Sequence, residues 1–256
     1  MTEQVSAKEL AKLVAAHAEW VAATNEGAGQ RVDPEQSERV RLTGGQLDLQ
    51  GQDLSKRNLS CLNLQASDLE GADLSHADIA NTDLSLARLN FANLEGANLH
   101  LANLHSANLA AADLSRAYLG GADMAGADLT DANLVDADLS FADLSDANLV
   151  GADLTGADMT EVDLSGTYLA DANLTDATLA GARLVGADLK GANLTDTDLE
   201  GADLRRVDLR RANLDGANLT DADLTGARAE AAVLIGANLG DTDLTDAIID
   251  EASGNR

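Results

Sequence analysis

The sequence predicts a solenoid, a chain wound around one narrow aliphatic axis, and three observations predict it. From Leu49 to Ile249 an apolar residue stands at every position whose number ends in 4 or 9, which makes 41 consecutive sites without insertion or deletion, 36 of them leucine. A period of five fits neither regular element. On an α-helix it turns the chain by about 500° and spirals the leucines around every face; on a strand an odd period sends successive leucines to opposite faces. Finally, 45% of the 256 residues are apolar but only 2% are aromatic, so the interior must be built from small and medium aliphatics. A chain that turns a corner every five residues meets all three conditions, because each leucine then points to one shared axis.

The repeating unit can be read residue by residue. Ala lies two positions before the apolar site in 30 of the 41 units, and Asp or Asn lies immediately before it in 33. The unit is therefore Ala-(Asp/Asn)-Leu-x-x, as in Ala72-Asp73-Leu74 and Ala97-Asn98-Leu99. Asp and Asn suit corners because their side chains accept hydrogen bonds from nearby backbone amides. Glycine recurs two residues after the leucine, at Gly71, Gly96, Gly151 and Gly186, where a corner calls for positive φ.

This unit resembles the motif of the pentapeptide-repeat family, and the resemblance covers residues 47 to 251. It implies an all-β fold, a right-handed quadrilateral β-helix with four pentapeptides per coil and the Leu and preceding Ala inside. About ten coils at about 4.8 Å per coil give a rod about 49 Å long. The predicted organisation is a helical N-terminal cap and lead-in over 1–45, the β-helix over 46–251, and a short tail over 252–256.

A solenoid exposes an apolar cross-section at each end and needs something to cover it. Residues 6 to 23 read as an amphipathic helix that does so at the N-terminus. Ser6 and Glu9 are spaced as a capping box, and Leu10, Leu13, Val14, His17, Trp20 and Val21 share one face. Gly27 and Gly29 are expected to end that helix, and a second is expected to begin at Asp33 and Pro34. Trp20 is expected over the first coil, with His17 as a hydrogen-bonded packing residue. At the C-terminus Ala229 replaces a core leucine, while Val233, Ile235 and Ile248 fall at outward positions. Two readings follow: the last coil distorts to cover its own core, or the end is an apolar homodimer surface.

The exterior offers no catalytic constellation. Residues 20 apart stack, so Asp83, Asp123, Asp143, Asp163, Asp203, Asp223 and Asp243 share one column, where mutual repulsion is expected to raise the cost of ionising them all. These are turn-forming residues of the repeat, not paired acid–base groups. His76, His100 and His105 are too dispersed for a metal site, Cys61 is a lone outward thiol, and Thr155, Thr175 and Thr195 form too short a stack to act as an ice-binding face. No cofactor, metal or enzymatic activity is expected. Two irregularities stand out. Leu101, Tyr118 and Phe141 lie on one side of successive coils, either as an anchor for a partner or as scattered tolerated substitutions. Arg205, Arg206, Arg210 and Arg211 wrap one corner near Arg183 and Arg228, either to pair with Asp203, Asp208 and Asp223 or to receive an acidic partner.

The net charge of −27 argues against direct nucleic-acid binding, which needs clustered Lys and Arg. The absence of a long apolar run predicts no membrane span and, with no apolar leader at the N-terminus, a cytoplasmic protein. Two function classes remain. The first is a rigid scaffold for protein–protein interaction. The second, implied by the resemblance to the family branch linked to quinolone and gyrase-poison resistance, is a DNA mimic that binds DNA gyrase.

Overall fold

The computed structural model describes residues 6–25, 42–43 and 46–249. The expected helix end at Gly27 and Gly29, the second helix at Asp33 and Pro34, the side chains of Trp20 and Val21, and the tail after residue 249 lie outside the described residues. Helix α1 spans Ala7–Asn25. Ser6 is its N-cap, accepting the Glu9 amide on Oγ at 3.2 Å, as the Ser6–Glu9 spacing predicts. Strands β1 (Leu42–Thr43) and β2 (Gln46–Leu47) pair antiparallel, Leu42 opposite Leu47.

From Asp48 the chain coils. Parallel bridges join each fifth residue to the one 20 positions on, from Asp48–Asp68 and Asp53–Asp73 without a break to Arg228–Ile248. Four bridge stations in each 20-residue turn make the coil four-sided. The sides are so short that each carries one bridge residue, and corners occupy the rest.

The unit Ala72–His76 shows why this backbone is stable without regular strands. Ala72 N–H donates to Leu69 O at 3.0 Å across the corner, and Asp73 N–H to Gln52 O at 2.9 Å in the preceding coil. Leu74 N–H donates to Asn93 O at 2.7 Å and His76 N–H to Glu95 O at 2.8 Å, both in the following coil. Ser75 N–H has no backbone acceptor and donates instead to Asp73 Oδ1 at 3.0 Å. In this unit four of the five amides are thus satisfied by backbone and the fifth by the Asp side chain, an arrangement open to the 33 units that carry Asp or Asn there.

The corner sets a second requirement. The residue two after each leucine has positive φ, as at His76 (55°) and Gly186 (71°), the conformation a type II turn demands at its third position. Glycine was expected here, yet Asp, Arg, Leu and Phe also occupy corners, for example Asp131, Arg206, Leu101 and Phe141.

The core is the column of leucines with the alanines beside them, nearly all inaccessible to solvent. Where Thr replaces Ala, at Thr82, Thr167 and Thr197, the buried hydroxyl donates to the carbonyl of Leu59, Leu144 or Leu174 at 2.7–2.8 Å. At the N-terminal end Leu10 and Val14 of α1 are buried in the same cluster as the first leucines, with Leu13 packed against it.

At the C-terminal end the structure corrects one expectation. The last coil does not distort: Asp243 N–H still bonds Ala222 O and Ile248 N–H still bonds Ala227 O, at 2.9 and 2.8 Å. Its core positions Leu239, Leu244 and Ile249 stay exposed, because no described coil follows to cover them. Ile235 and Ile248 are exposed as expected, whereas Val233 is half-buried.

The side-chain bond to the fifth amide can be tested at Asp143, which accepts Ser145 N–H at 2.9 Å. Asp143→Asn keeps an acceptor and should leave stability unchanged, whereas Asp143→Ala should destabilise by about 1 kcal/mol in denaturant unfolding. Equal stability of the two variants would show that the bond contributes nothing.

Candidate functional site

A uniform rod has no cleft to read, so candidate sites are departures from the repeat. The first is apolar. Leu101 and Phe141 occupy one corner column with Gly121 between them, and Leu101 Cδ2 lies 2.8 Å from where a Gly121 Cβ would stand. Tyr118 precedes Gly121 in the same coil. The three predicted residues are 53% (Leu101), 58% (Tyr118) and 63% (Phe141) exposed. Sequence reasoning missed three similar residues, Leu86, Phe91 and Tyr168, each more than half exposed. Leu86 and Phe91 sit at successive corners of the coil just before Leu101, and a bulky residue at a number ending in 1 or 6 was the available signal. Leu86, Phe91, Leu101 and Phe141 have φ between 55° and 61°. Each costs roughly 1–2 kcal/mol in that region and recovers little through burial. Beside Tyr168 a shallow open groove is lined by Gly126, Ala127, Asp128, Asp146, Asn148 and Val150.

The second departure is the arginine cluster, and it divides in two. Arg205 folds back on its own unit, donating from Nε and Nη2 to the two carboxylate oxygens of Asp203, each at 2.6 Å, with Asp223 at 3.7 Å. Arg210 does the same with Asp208. These side-chain bonds hold the Asp203 and Asp208 carboxyls below the usual range and push both guanidinium groups up. Arg183 pairs with Asp163 at 2.9 Å and Arg228 with Glu230 at 3.2 Å. Arg206 and Arg211, at corners with φ of 59° and 62°, have no carboxylate oxygen within 4.0 Å among the described residues. The pairing reading therefore holds for Arg205 and Arg210 but not for Arg206 and Arg211 among the described residues.

The aspartate column does not behave as expected at the two positions where a shift is resolved. Asp203 is lowered by Arg205, and Asp243 is lowered by its bonds with the Thr245 hydroxyl and amide. Local donors outweigh repulsion along the stack there. Among the described residues no group of three His, Cys, Asp or Glu is placed to hold a metal ion. The His105 ring lies 4.0 Å from Asp123, and Cys61 is a free exposed thiol.

His17 is enclosed, as expected. Its Nε2 lies 2.8 Å from Gln65 O, and its Nδ1 accepts Leu47 N–H at 3.2 Å. The carbonyl requires a proton on Nε2, so the ring is the neutral Nε2–H tautomer. One side chain thus ties α1 to β2 and to the first coil. Among the described residues no helix is long and apolar enough to cross a membrane.

The geometry and the motif converge on one family. The family model for pentapeptide repeats matches in contiguous segments from residue 48 to residue 250. The chain belongs to the pentapeptide-repeat family. Among solved structures it is similar to HetL, a pentapeptide repeat protein involved in heterocyst differentiation regulation from the cyanobacterium Nostoc sp. strain PCC 7120. That match has 34% identity and a TM-score of 0.53, over 78% of this chain and 86% of HetL. It is also similar in fold to QnrB1, a plasmid-mediated fluoroquinolone resistance protein, with 22% identity and a TM-score of 0.43 over 80% of this chain and 91% of that one. A third match is Rfr23 from the cyanobacterium Cyanothece 51142, with 30% identity and a TM-score of 0.25 over 50% of this chain and 64% of that one. No curated protein sequence matches. The family assignment carries the right-handed β-helix with it.

The paired arginines generate a pH-dependent outcome. A carboxyl held below its unfolded value stabilises the fold above that value, and the contribution is lost as pH falls through the folded value. The stability difference between wild type and R205A/R210A should therefore be constant above about pH 5 and shrink below about pH 4. Thermal melts of both proteins across that range check it; a difference that grows on acidification would refute the pairing. Both pairs lie at the surface, with Arg205 half exposed and Arg210 a third exposed, so the effect should be small.

Proposed function

We propose that this protein is a rigid, non-enzymatic scaffold for protein–protein interaction, with Leu101, Tyr118 and Phe141 anchoring a partner. One observation carries the reading. Bulky apolar side chains occupy strained left-handed corners and remain exposed, a cost the fold has no internal reason to bear. The rigid bridge ladder holds them at fixed spacing, which lowers the entropy lost on binding. Leu86 and Phe91 stand at other corners of the coil, Phe91 diagonally opposite the Leu101 column, and are separate from this surface. In this reading α1 is the N-terminal cap, because Leu10 and Val14 cover the first coil and His17 fastens the helix. The exposed Leu239, Leu244, Ile248 and Ile249 make the C-terminal end a surface for a second copy.

A specific observation favours a second reading, a DNA-mimicking binder of DNA gyrase. Residues 46–249 carry 35 acidic and 11 basic side chains, a net −24, so that a rod about 49 Å long bears about one charge per 2 Å against about one per 1.7 Å in duplex DNA. Corner aspartates such as Asp131, Asp136 and Asp146 put much of this charge at the rod's edges. Inhibition of supercoiling by purified gyrase at micromolar protein would support mimicry; no effect and no co-purification would dismiss it.

For the scaffold reading, Tyr118→Ala with Phe141→Ala should abolish affinity capture of the partner while leaving the melting temperature within a few degrees of wild type, since both residues are exposed. Capture retained at wild-type level would refute the anchor. For the C-terminal surface, Leu244→Asp should convert a dimeric mass in light scattering to a monomeric one; a monomer in both proteins would eliminate that interface.

A further inference from the structure

On a rod of net negative charge, one face runs the other way. It comprises three stacked stretches, 186–191, 206–211 and 226–231, bounded by the corners of Arg206 and Arg211. It carries Lys190, Arg206, Arg210, Arg211 and Arg228 against Asp188, Asp208 and Glu230. Two of the five cations are consumed internally, Arg210 by Asp208 and Arg228 by Glu230. Lys190, Arg206 and Arg211 have no carboxylate oxygen within 4.0 Å among the described residues. Three unpaired cations therefore face a single remaining carboxylate, Asp188.

The surroundings leave these groups open. The corners one coil before and after Arg206 are Gly186 and Gly226, and those flanking Arg211 are Gly191 and Ala231. The adjacent corners themselves carry nothing larger than a methyl, although the Asp171 carboxylate reaches over Gly191 in the Arg211 column. Arg206 lies along this gap, its Cγ 3.8 Å from where a Gly226 Cβ would be.

We infer that the face between Arg206 and Arg211 binds a short acidic segment of a partner protein. Guanidinium groups pair with carboxylates in a bidentate, directional way, and two of them one repeat unit apart match carboxylates on an extended peptide. Brevity follows from the charge around the face. A long polyphosphate would run past it onto acidic coils, where each added charge is repelled, whereas a segment a few residues long stays within the positive field. The inference rests on the scaffold reading only in that the occupant is a protein, and it uses a different surface from Tyr118 and Phe141.

The test uses the full chain and a fluorescent peptide of alternating Glu and Gly, with a Gln–Gly peptide of equal length and a short DNA duplex as comparison arms. The Glu peptide should bind at low salt and weaken as salt rises, and the Gln peptide should not bind. R206Q/R211Q should weaken binding about tenfold, R206K/R211K less, and R116Q, whose arginine pairs with Glu95 in a distant coil, not at all. Melting curves establish that the variants fold. Should R206Q/R211Q fail to fold, the arginine Nε–Hε NMR signals of the wild-type protein decide, with Arg206 and Arg211 shifting on titration. Equal binding of the Glu and Gln peptides, or wild-type affinity in R206Q/R211Q, overturns the inference. Tighter binding of the duplex, lost in the same variant, overturns it in favour of phosphate. The Tyr118→Ala/Phe141→Ala protein should bind the Glu peptide normally, so failure of the apolar anchor and failure of this site are separable.

Discussion

Everything in this rod depends on the amide that has no backbone partner. A chain turning a corner every five residues can direct four of its five N–H groups to carbonyls in its own or adjacent coils, as Ala72, Asp73, Leu74 and His76 do. The fifth, on the residue after the leucine, is stranded at the corner. Leaving such a donor without an acceptor costs about as much as a lost hydrogen bond. The carboxylate or amide one residue before the leucine supplies that acceptor, a reach that suits the short Asp and Asn side chains. The rod's acidity is therefore first a by-product of backbone satisfaction. Any use of the charge, as DNA mimicry or steering, is built on a feature the fold already required.

The same constraint leaves most of the sequence freedom at the corners. Inward positions are mostly Leu and Ala, which fill a narrow axis, and bridge positions are mostly Asp or Asn, which satisfy amides. What remains free is the pair of residues after each leucine. The protein's irregularities concentrate there: Leu86, Phe91, Leu101 and Phe141 at apolar corners, Arg206 and Arg211 at basic ones. Where a bridge residue is itself replaced, as at Tyr118 and Tyr168, the unit gives up its side-chain acceptor for an exposed ring. Departures at corners cost backbone strain, and departures at bridges cost a hydrogen bond. Both kinds occur together around coils 86–141.

Much of this was legible in the sequence because the repeat leaves few alternatives. An unbroken five-residue register identifies which leucines are buried, and columns of residues 20 apart are enough to place Leu101 near Phe141. Ser6 and His17 are also readable from helix spacing. The exposed Leu86, Phe91 and Tyr168 were missed, although the same register marks their positions as outward. The arginine cluster was legible as a cluster but not as two populations. Arg205 and Arg206 are chain neighbours with identical chemistry, and only side-chain direction separates them.

By itself, then, the sequence determined the solenoid, its core and its corner chemistry, because a strict period leaves one way to bury every leucine. Tertiary structure alone decided which charges cancel and which surfaces stay open. Asp203 and Asp208 quench Arg205 and Arg210, while Arg206 lies open along the gap left by Gly226. It also decided that the last coil keeps its register and exposes Leu239 and Leu244. The physical reason is reach. Period and composition act along the chain, whereas pairing and exposure are set across coils, between residues 20 apart whose side chains choose their directions only once the coils have stacked.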